Sequence, residues 1–236
     1  SVSLYDDIYS TAGQKKYYVV NNVLETFTSK VGQYVEIMSL EEFGNALFID
    51  HEIQVAEKDE KIYSSTFFKS SYDLSKKNNN VAIIGGGDGG VARECLENNT
   101  NYIDWYELDP EIVESCYRHL PKVCSKVKKS NSVNTFWGDA FESIKSIEDS
   151  KYDKIFVDLN DDQYCIDLAR KNMKNLKRIL KPGGVITAQV GSKDKKPKQV
   201  ENWCKVLEKS FGNVIVSGVH VPSFDCNWNF ASSIMK

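Results

Sequence analysis

The chain has 236 residues, 41% of them hydrophobic, with 30 Lys and Arg against 33 Asp and Glu for a formal net charge of −3. That length supports a full buried core, as one large domain with a small appendage, and the mild acidity excludes the basic footprint of a nucleic-acid binder while suiting cationic small molecules. The six cysteines, at 95, 116, 124, 165, 204 and 226, make no Cys-x-x-Cys pair and no zinc-type spacing with histidine, so they read as reduced thiols of a cytoplasmic protein and no metal is expected.

At the N-terminus, SVSLYDDIYS lacks the charged-then-apolar pattern of a signal peptide, and a start at Ser1 rather than Met leaves room for sequence upstream. Every apolar run falls far short of the roughly 20 residues that cross a bilayer, so no membrane partner is expected. Residues 17–57 carry β-branched and aromatic residues in short alternating runs (YYVVNNVLETFTS, QYVEIMS, NALFIDHEIQVAE) broken by Gly, Asn and Asp, the pattern of a small antiparallel β domain. KDEKIYSSTFFKSSYDL predicts a helix, and the polar linker SKKNNN at 75–80 closes this first unit, giving domains at 1–74 and 75–236.

From Val81 short apolar strands alternate with amphipathic helices: VAIIG, a helix over 90–98, YIDWYEL, a helix over 110–119, VNTFWG and KIFVDL. A helix over 164–180, a stop at KPGG, VITAQV, a helix over 197–210 and NVIVSGVHV follow. This predicts an α/β fold, a doubly wound and mostly parallel sheet of the Rossmann-like, methyltransferase type, behind the small N-terminal antiparallel β domain. The lysine-rich SKDKKPK at 192–198 reads as a solvated loop.

The first strand of that unit runs into GGGDGG, with Gly85, Gly86 and Gly87 where backbone must approach a ligand at the carboxyl edge of the sheet. Glu107 lies about twenty positions on, at the end of the next strand, where a carboxylate can accept from a ribose diol. Asp88 separates ligand classes. A carboxylate inside this loop opposes the pyrophosphate of a dinucleotide and the carboxylate of S-adenosylmethionine, but suits the ammonium and sulfonium of the decarboxylated nucleoside. Its bland alternative is a helix N-cap, and the same alternative stands for Asp139, whose carboxylate at the third strand end could otherwise accept the amine of adenine. Asp158, Asp161 and Asp162 crowd the fourth strand end, either to hold a cation or to decorate a loop. Gln189 ends a strand and could touch a polyamine or only bond the strand edge. His51, His119 and His220 are scattered singly and read as surface or structural residues, and Trp203 and Trp228 as core or pocket walls.

Taken in order, VAIIGGGDGGVARE, WYELDPEIVESC, FWGDAFESI and YDKIFVDLND resemble the donor-binding strands of the spermidine and spermine synthase family, and GQYVEIMSLEEFGNALFIDHEIQVAEKDEKIY is similar to that family's N-terminal β domain. The resemblance covers about residues 17–236. It implies a polyamine aminopropyltransferase that uses decarboxylated S-adenosylmethionine as co-substrate, holds no permanent cofactor, releases methylthioadenosine and forms a homodimer. On this resemblance Gln33, Glu107, Asp139 and Ala140 hold the methylthioadenosine part, Asp88 faces the aminopropyl amine, Tyr63 lines the aminopropyl and polyamine region, and Asp158 accepts the proton. Asp161 and Gln54 fall in the acceptor region. The sulfonium is already an excellent leaving group, so orientation, electrostatics and a proton acceptor suffice, without a covalent enzyme intermediate or metal.

The acceptor end departs from the pattern. Phe224 stands where the family carries a tyrosine, Cys226 where spermine synthases carry a glutamate, and the segment after Asp158 lacks the usual proline-containing gate. Ile53, Gln54 and Asp161 lean toward spermidine synthase. His220-Val-Pro-Ser, Trp228 and Gln189-Val-Gly-Ser lean toward spermine synthase, which puts spermidine narrowly ahead of putrescine as the acceptor. The alternatives are an S-adenosylmethionine-dependent methyltransferase on the same strand pattern, a weakly catalytic homologue acting through a partner subunit, and, third, an NAD-dependent dehydrogenase, which Asp88 disfavours.

Overall fold

The computed structural model describes residues 3–9 and 13–236. The alternating N-terminal runs form an antiparallel meander, β1 (Ser3–Asp6), β2 (Tyr17–Thr28), β3 (Tyr34–Leu40), β4 (Gly44–Ile49) and β5 (Glu52–Ala56), paired in chain order. Period-two alternation gives this sheet two apolar faces. Tyr18, Val20, Met38 and Phe48 pack on one, while Val35, Ile37, Leu47 and Val55 pack on the other against Ile112, Leu120 and Val123 of the larger unit.

Helix α1 (Glu60–Tyr72) leads to the second sheet, β6 (Asn80–Gly85), α2 (Gly90–Glu97), β7 (Tyr102–Glu107), α3 (Pro110–His119), α4 (Pro121–Lys129), β8 (Val133–Trp137), α5 (Ala140–Ser143), β9 (Tyr152–Asp158), α6 (Gln163–Ile179), β10 (Leu180–Gly191), α7 (Pro197–Phe211), β11 (Ile215–Val221) and β12 (Cys226–Ile234). The strand order is β11-β12-β10-β9-β6-β7-β8. From β10 to β8 all neighbours are parallel, and β12 is inserted antiparallel between β10 and β11. The apolar run Val81–Ile84 is continuous because β6 is buried on both faces. Ala82 and Ile84 meet the layer built with α6 and α7, and Val81 and Ile83 the layer that contains Phe67 and Phe68 of α1 and Val91 and Ala92 of α2. Thus α1, grouped by the sequence with the first unit, packs on the larger sheet.

Three features differ from the sequence expectation. The KPGG stop lies inside β10, where the pairing with β9 breaks register between Leu180 and Val185. Helix α4 follows α3 at once, with Leu120 ending the first and Pro121 opening the second. Strand β12 has no strand signal in its sequence, because CNWNFASSI is rich in Asn and Ser and one of its pairing partners lies far away along the chain.

Beneath the glycine loop, buried Arg93 of α2 bonds the carboxylate of Glu60 through both Nη1 and Nη2, and Nη2 also reaches Glu94 at 2.9 Å. Its Nη1 donates to the Val123 carbonyl at 3.0 Å, so one guanidinium joins α1, α2 and α4.

Candidate active site

The strand order reverses between β6 and β9, and at such a switch point the chain leaves the carboxyl ends of the two adjacent strands in opposite directions and a crevice opens between. Gly85 pairs with Asp158 there. Gly85 has φ +83°, and a Cβ on it would lie 2.3 Å from the Asp158 carbonyl oxygen, so only glycine lets the two strand ends meet. The same carbonyl accepts from the Gly86 amide at 3.1 Å, and the Trp105 indole donates to the Gly85 carbonyl at 2.6 Å. From this point a cavity of about 570 Å³ opens, lined by both sheets, and the donor, base and acceptor residues expected from the sequence all line it.

At one end stand Glu107, Gln33, Asp139 and Ala140. Glu107 is 8% exposed, and its Oε1 accepts from the Asp109 amide at 3.2 Å. Burial pushes its carboxyl up to about 7. Gln33 donates through Nε2 to Asp109 Oδ2 at 3.0 Å, which ties the small sheet to the N-cap of α3. Asp109 is not among the residues the sequence marks for the site, although Asp before Pro is a helix-start signal. Asp139 caps the short α5 by accepting at Oδ1 from the Phe141 amide at 2.9 Å and the Glu142 amide at 3.4 Å, so the capping alternative is real, yet the side chain also lines the cavity.

Next to the glycine loop, Asp158 Oδ1 accepts from the Tyr63 hydroxyl at 3.0 Å. Burial raises the Asp158 carboxyl to about 6, opposed by that hydrogen bond. Tyr63 is itself raised well above its ordinary range by burial and by the Asp158 charge, so it stays a proton donor. Asp88 accepts at Oδ1 from the Gly90 amide at 2.7 Å, while Gly89 takes the N-cap position of α2. Its carboxyl is also raised, first by burial and then by the Glu60 and Asp158 charges. A cation entering between Asp88 and Asp158 would relieve all three effects.

The crowded acids after β9 take separate tasks. Asp162 caps α6, accepting from the Cys165 amide at 2.9 Å. Asp161, 8% exposed, lines the cavity and has no hydrogen-bond or ion-pair partner among the described residues. It packs against Gly191, whose φ of +87° and missing Cβ make the room, since a Cβ there would lie 2.7 Å from Asp161 Oδ2. Gln189 is largely committed to the protein. Its Nε2 bonds the Leu159 carbonyl, and its Oε1 accepts from Gly191 at 3.1 Å and from the Trp228 indole at 2.9 Å, the bonds of the strand-end alternative, while the side chain also lines the cavity. Gln54 donates to the Glu52 carbonyl at 3.2 Å. Phe224 is an apolar wall, edge-on to Tyr63 at 6.0 Å and to Trp228 at 5.0 Å, and Cys226 is buried beside it.

Two further lining residues are absent from the sequence expectation. Glu52 accepts at Oε1 from the Tyr9 hydroxyl at 2.8 Å, and both face the cavity. Period two does not find Glu52 from Gln54, because β5 bulges at Gln54 and Glu52, Ile53 and Gln54 all line the cavity.

Comparison with known proteins bears on the family and the fold. The family model "Spermine/spermidine synthase domain" matches residues 60–236, and "Spermidine synthase tetramerisation domain" matches 5–57. The chain is 30% identical over 215 residues to the polyamine aminopropyltransferase of Korarchaeum cryptofilum, covering 90% of this chain and 67% of that protein. It is 32% identical over 206 residues to that of Prochlorococcus marinus strain NATL1A, covering 85% and 72%. Among solved structures, a spermidine synthase in complex with the transition-state analogue AdoDATO superposes with a TM-score of 0.91 at 19% identity, covering 99% of this chain and 80% of that one. The Thermotoga maritima spermidine synthase gives 0.87 at 18%, covering 99% and 79%. These two likenesses bear on the fold. With both family models together spanning nearly all of the sequence, the chain belongs to the spermine/spermidine synthase family of polyamine aminopropyltransferases.

Proposed function

We propose that this chain transfers the aminopropyl group of decarboxylated S-adenosylmethionine to a polyamine amine and releases 5'-methylthioadenosine. The observation that carries this reading is the cavity's polarity: Asp88 within the glycine loop and Asp158 beside it have raised carboxyls, while Glu107 and Asp139 stand at the next two strand ends. Glu107 and Asp139 suit a ribose diol and an adenine amine, with Gln33 and Ala140 completing that end. Asp88 suits the aminopropyl ammonium. S-adenosylmethionine would bring its own carboxylate toward Asp88, which disfavours methyl transfer.

In the reaction, Asp158 takes a proton from the attacking amine, which is mostly protonated at neutral pH. The nitrogen lone pair forms a bond to the carbon beside the sulfonium, the carbon–sulfur bond breaks, and its electron pair returns to sulfur as the neutral thioether. Tyr63 orients Asp158 through the 3.0 Å hydrogen bond and remains protonated throughout. Spermidine is the acceptor narrowly favoured over putrescine by the C-terminal residues. Product chromatography with decarboxylated S-adenosylmethionine and both amines in competition tests the donor and the acceptor together. A methylated product from S-adenosylmethionine would sink the reading.

The match of 5–57 to a tetramerisation domain supports self-association, with a homodimer as the unit expected from the resemblance. Six free cysteines, and no helix among the described residues long and apolar enough to cross a membrane, fit the cytoplasmic reading.

A further inference from the structure

An acceptor amine must be neutral to attack, so its remaining charge sits at the other end of the molecule, where a desolvated ammonium requires an anion. The wall formed by Phe224, Cys226 and Trp228 offers none, Gln189 is bonded to the protein, and Asp162 caps a helix. The adjoining surface, formed by Tyr9 and by Glu52 of β5, differs. Tyr9 donates to Glu52 Oε1 at 2.8 Å and leaves Oε2 of that carboxylate without a protein hydrogen bond among the described residues. The Tyr9 ring lies beneath Lys195 and Lys196, whose Nζ atoms stand 4.8 and 5.5 Å from its centroid. Asp161, nine-tenths buried and unpartnered among the described residues, acts electrostatically on both Glu52 and Tyr9.

We propose that Glu52, oriented by the Tyr9 hydroxyl, is a specificity-determining residue that binds the far ammonium of the acceptor together with Asp161. The assignment rests on the aminopropyl-transfer reading above and adds to it the group that stands in for the missing tyrosine and glutamate. Burial raises the Glu52 carboxyl, with the Asp161 and Asp162 charges adding to it and the Tyr9 hydrogen bond and the Lys196 charge opposing, so the net upward shift favours an incoming ammonium.

The test is calorimetry of spermidine and putrescine on protein saturated with methylthioadenosine, together with steady-state kinetics for the same amines and for n-butylamine, which has no far ammonium. Glu52→Gln should weaken both polyamines by about 10–100-fold and raise KM in parallel, with kcat within about threefold, and Tyr9→Phe should weaken them by about threefold. Butylamine should be used equally, and poorly, by wild type and variant. Unchanged methylthioadenosine affinity certifies that each variant is folded. A folded Glu52→Gln that binds spermidine and putrescine as tightly as wild type overturns the assignment while leaving the reaction intact. Wild-type protein that makes no aminopropylated product overturns the reaction itself, and this assignment with it.

Discussion

The Tyr63 hydroxyl donates to Asp158 Oδ1 at 3.0 Å, joining the first turn of α1 to the end of β9. Two opposing effects therefore meet on one carboxyl: burial raises it to about 6, and the phenol holds it below what burial alone would produce. If Asp158 is the base, kcat/KM for the acceptor rises with pH through a limb near 6. Tyr63→Phe removes the lowering effect, so the limb should move to higher pH. A pH–rate profile of both proteins checks this, and a limb that stays in place would separate Tyr63 from the base.

Asp158→Asn should lower kcat by about 10²–10⁴-fold with methylthioadenosine binding nearly unchanged. It should also stabilise the fold. The folded carboxyl titrates near 6 and the unfolded one near 3.9, so the native state binds more protons between these values. This group's contribution is most favourable below about pH 4 and is lost as pH rises through 6. At pH 8 the asparagine variant should be more stable by about 1–3 kcal/mol in urea unfolding, and a loss of stability together with a loss of nucleoside binding would mark a folding defect instead.

Glu107→Gln should weaken methylthioadenosine by about 10–100-fold in calorimetry, because a carboxylate is the stronger acceptor for two hydroxyls. Glutamine keeps a side-chain oxygen that can accept from the Asp109 amide, so the N-cap of α3 is preserved in the variant. Equal affinity would remove Glu107 from the nucleoside end.

Acceptor binding through Asp88, Asp158, Asp161 and Glu52 should be strongly salt-dependent, with KM for spermidine and putrescine rising across a salt series, whereas neutral hydrogen bonds would be nearly indifferent. Phe224→Tyr with Cys226→Glu restores the family pattern on the apolar wall. That double variant should gain little, because Glu52 and Asp161 already supply the charge. Clearly tighter spermidine binding would show instead that charge on the apolar wall is what the chain lacks.

Arg93 offers a structural control away from the cavity lining. Arg93→Met leaves Glu60 and Glu94 buried without their shared partner and should destabilise the protein by about 3–5 kcal/mol in chemical denaturation. A small effect would mean that the two glutamates take up protons on loss of the guanidinium.

Much of the proposed donor end is legible in the amino-acid sequence because it is local. Gly85–Gly87, Asp88, Glu107 and Asp139 each sit at or just beyond the end of an apolar strand whose length and position the alternation reveals, and strand ends in a parallel sheet converge on one edge by topology. Composition and pattern alone determined the two-part α/β architecture, the small antiparallel sheet and the anionic character of the site. What only the tertiary structure decided lies between distant segments. Gln33 to Asp109, Tyr9 to Glu52 and Tyr63 to Asp158 are hydrogen bonds spanning 76, 43 and 95 positions, and nothing in the local sequence of either partner specifies the other. The same holds for β12, whose polar residues become a strand only because β10 and β11 offer edges on both sides. It holds too for the three acids after β9: their spacing does not say which caps a helix and which faces the cavity, since that depends on where α6 begins and on the room that Gly191 leaves for Asp161.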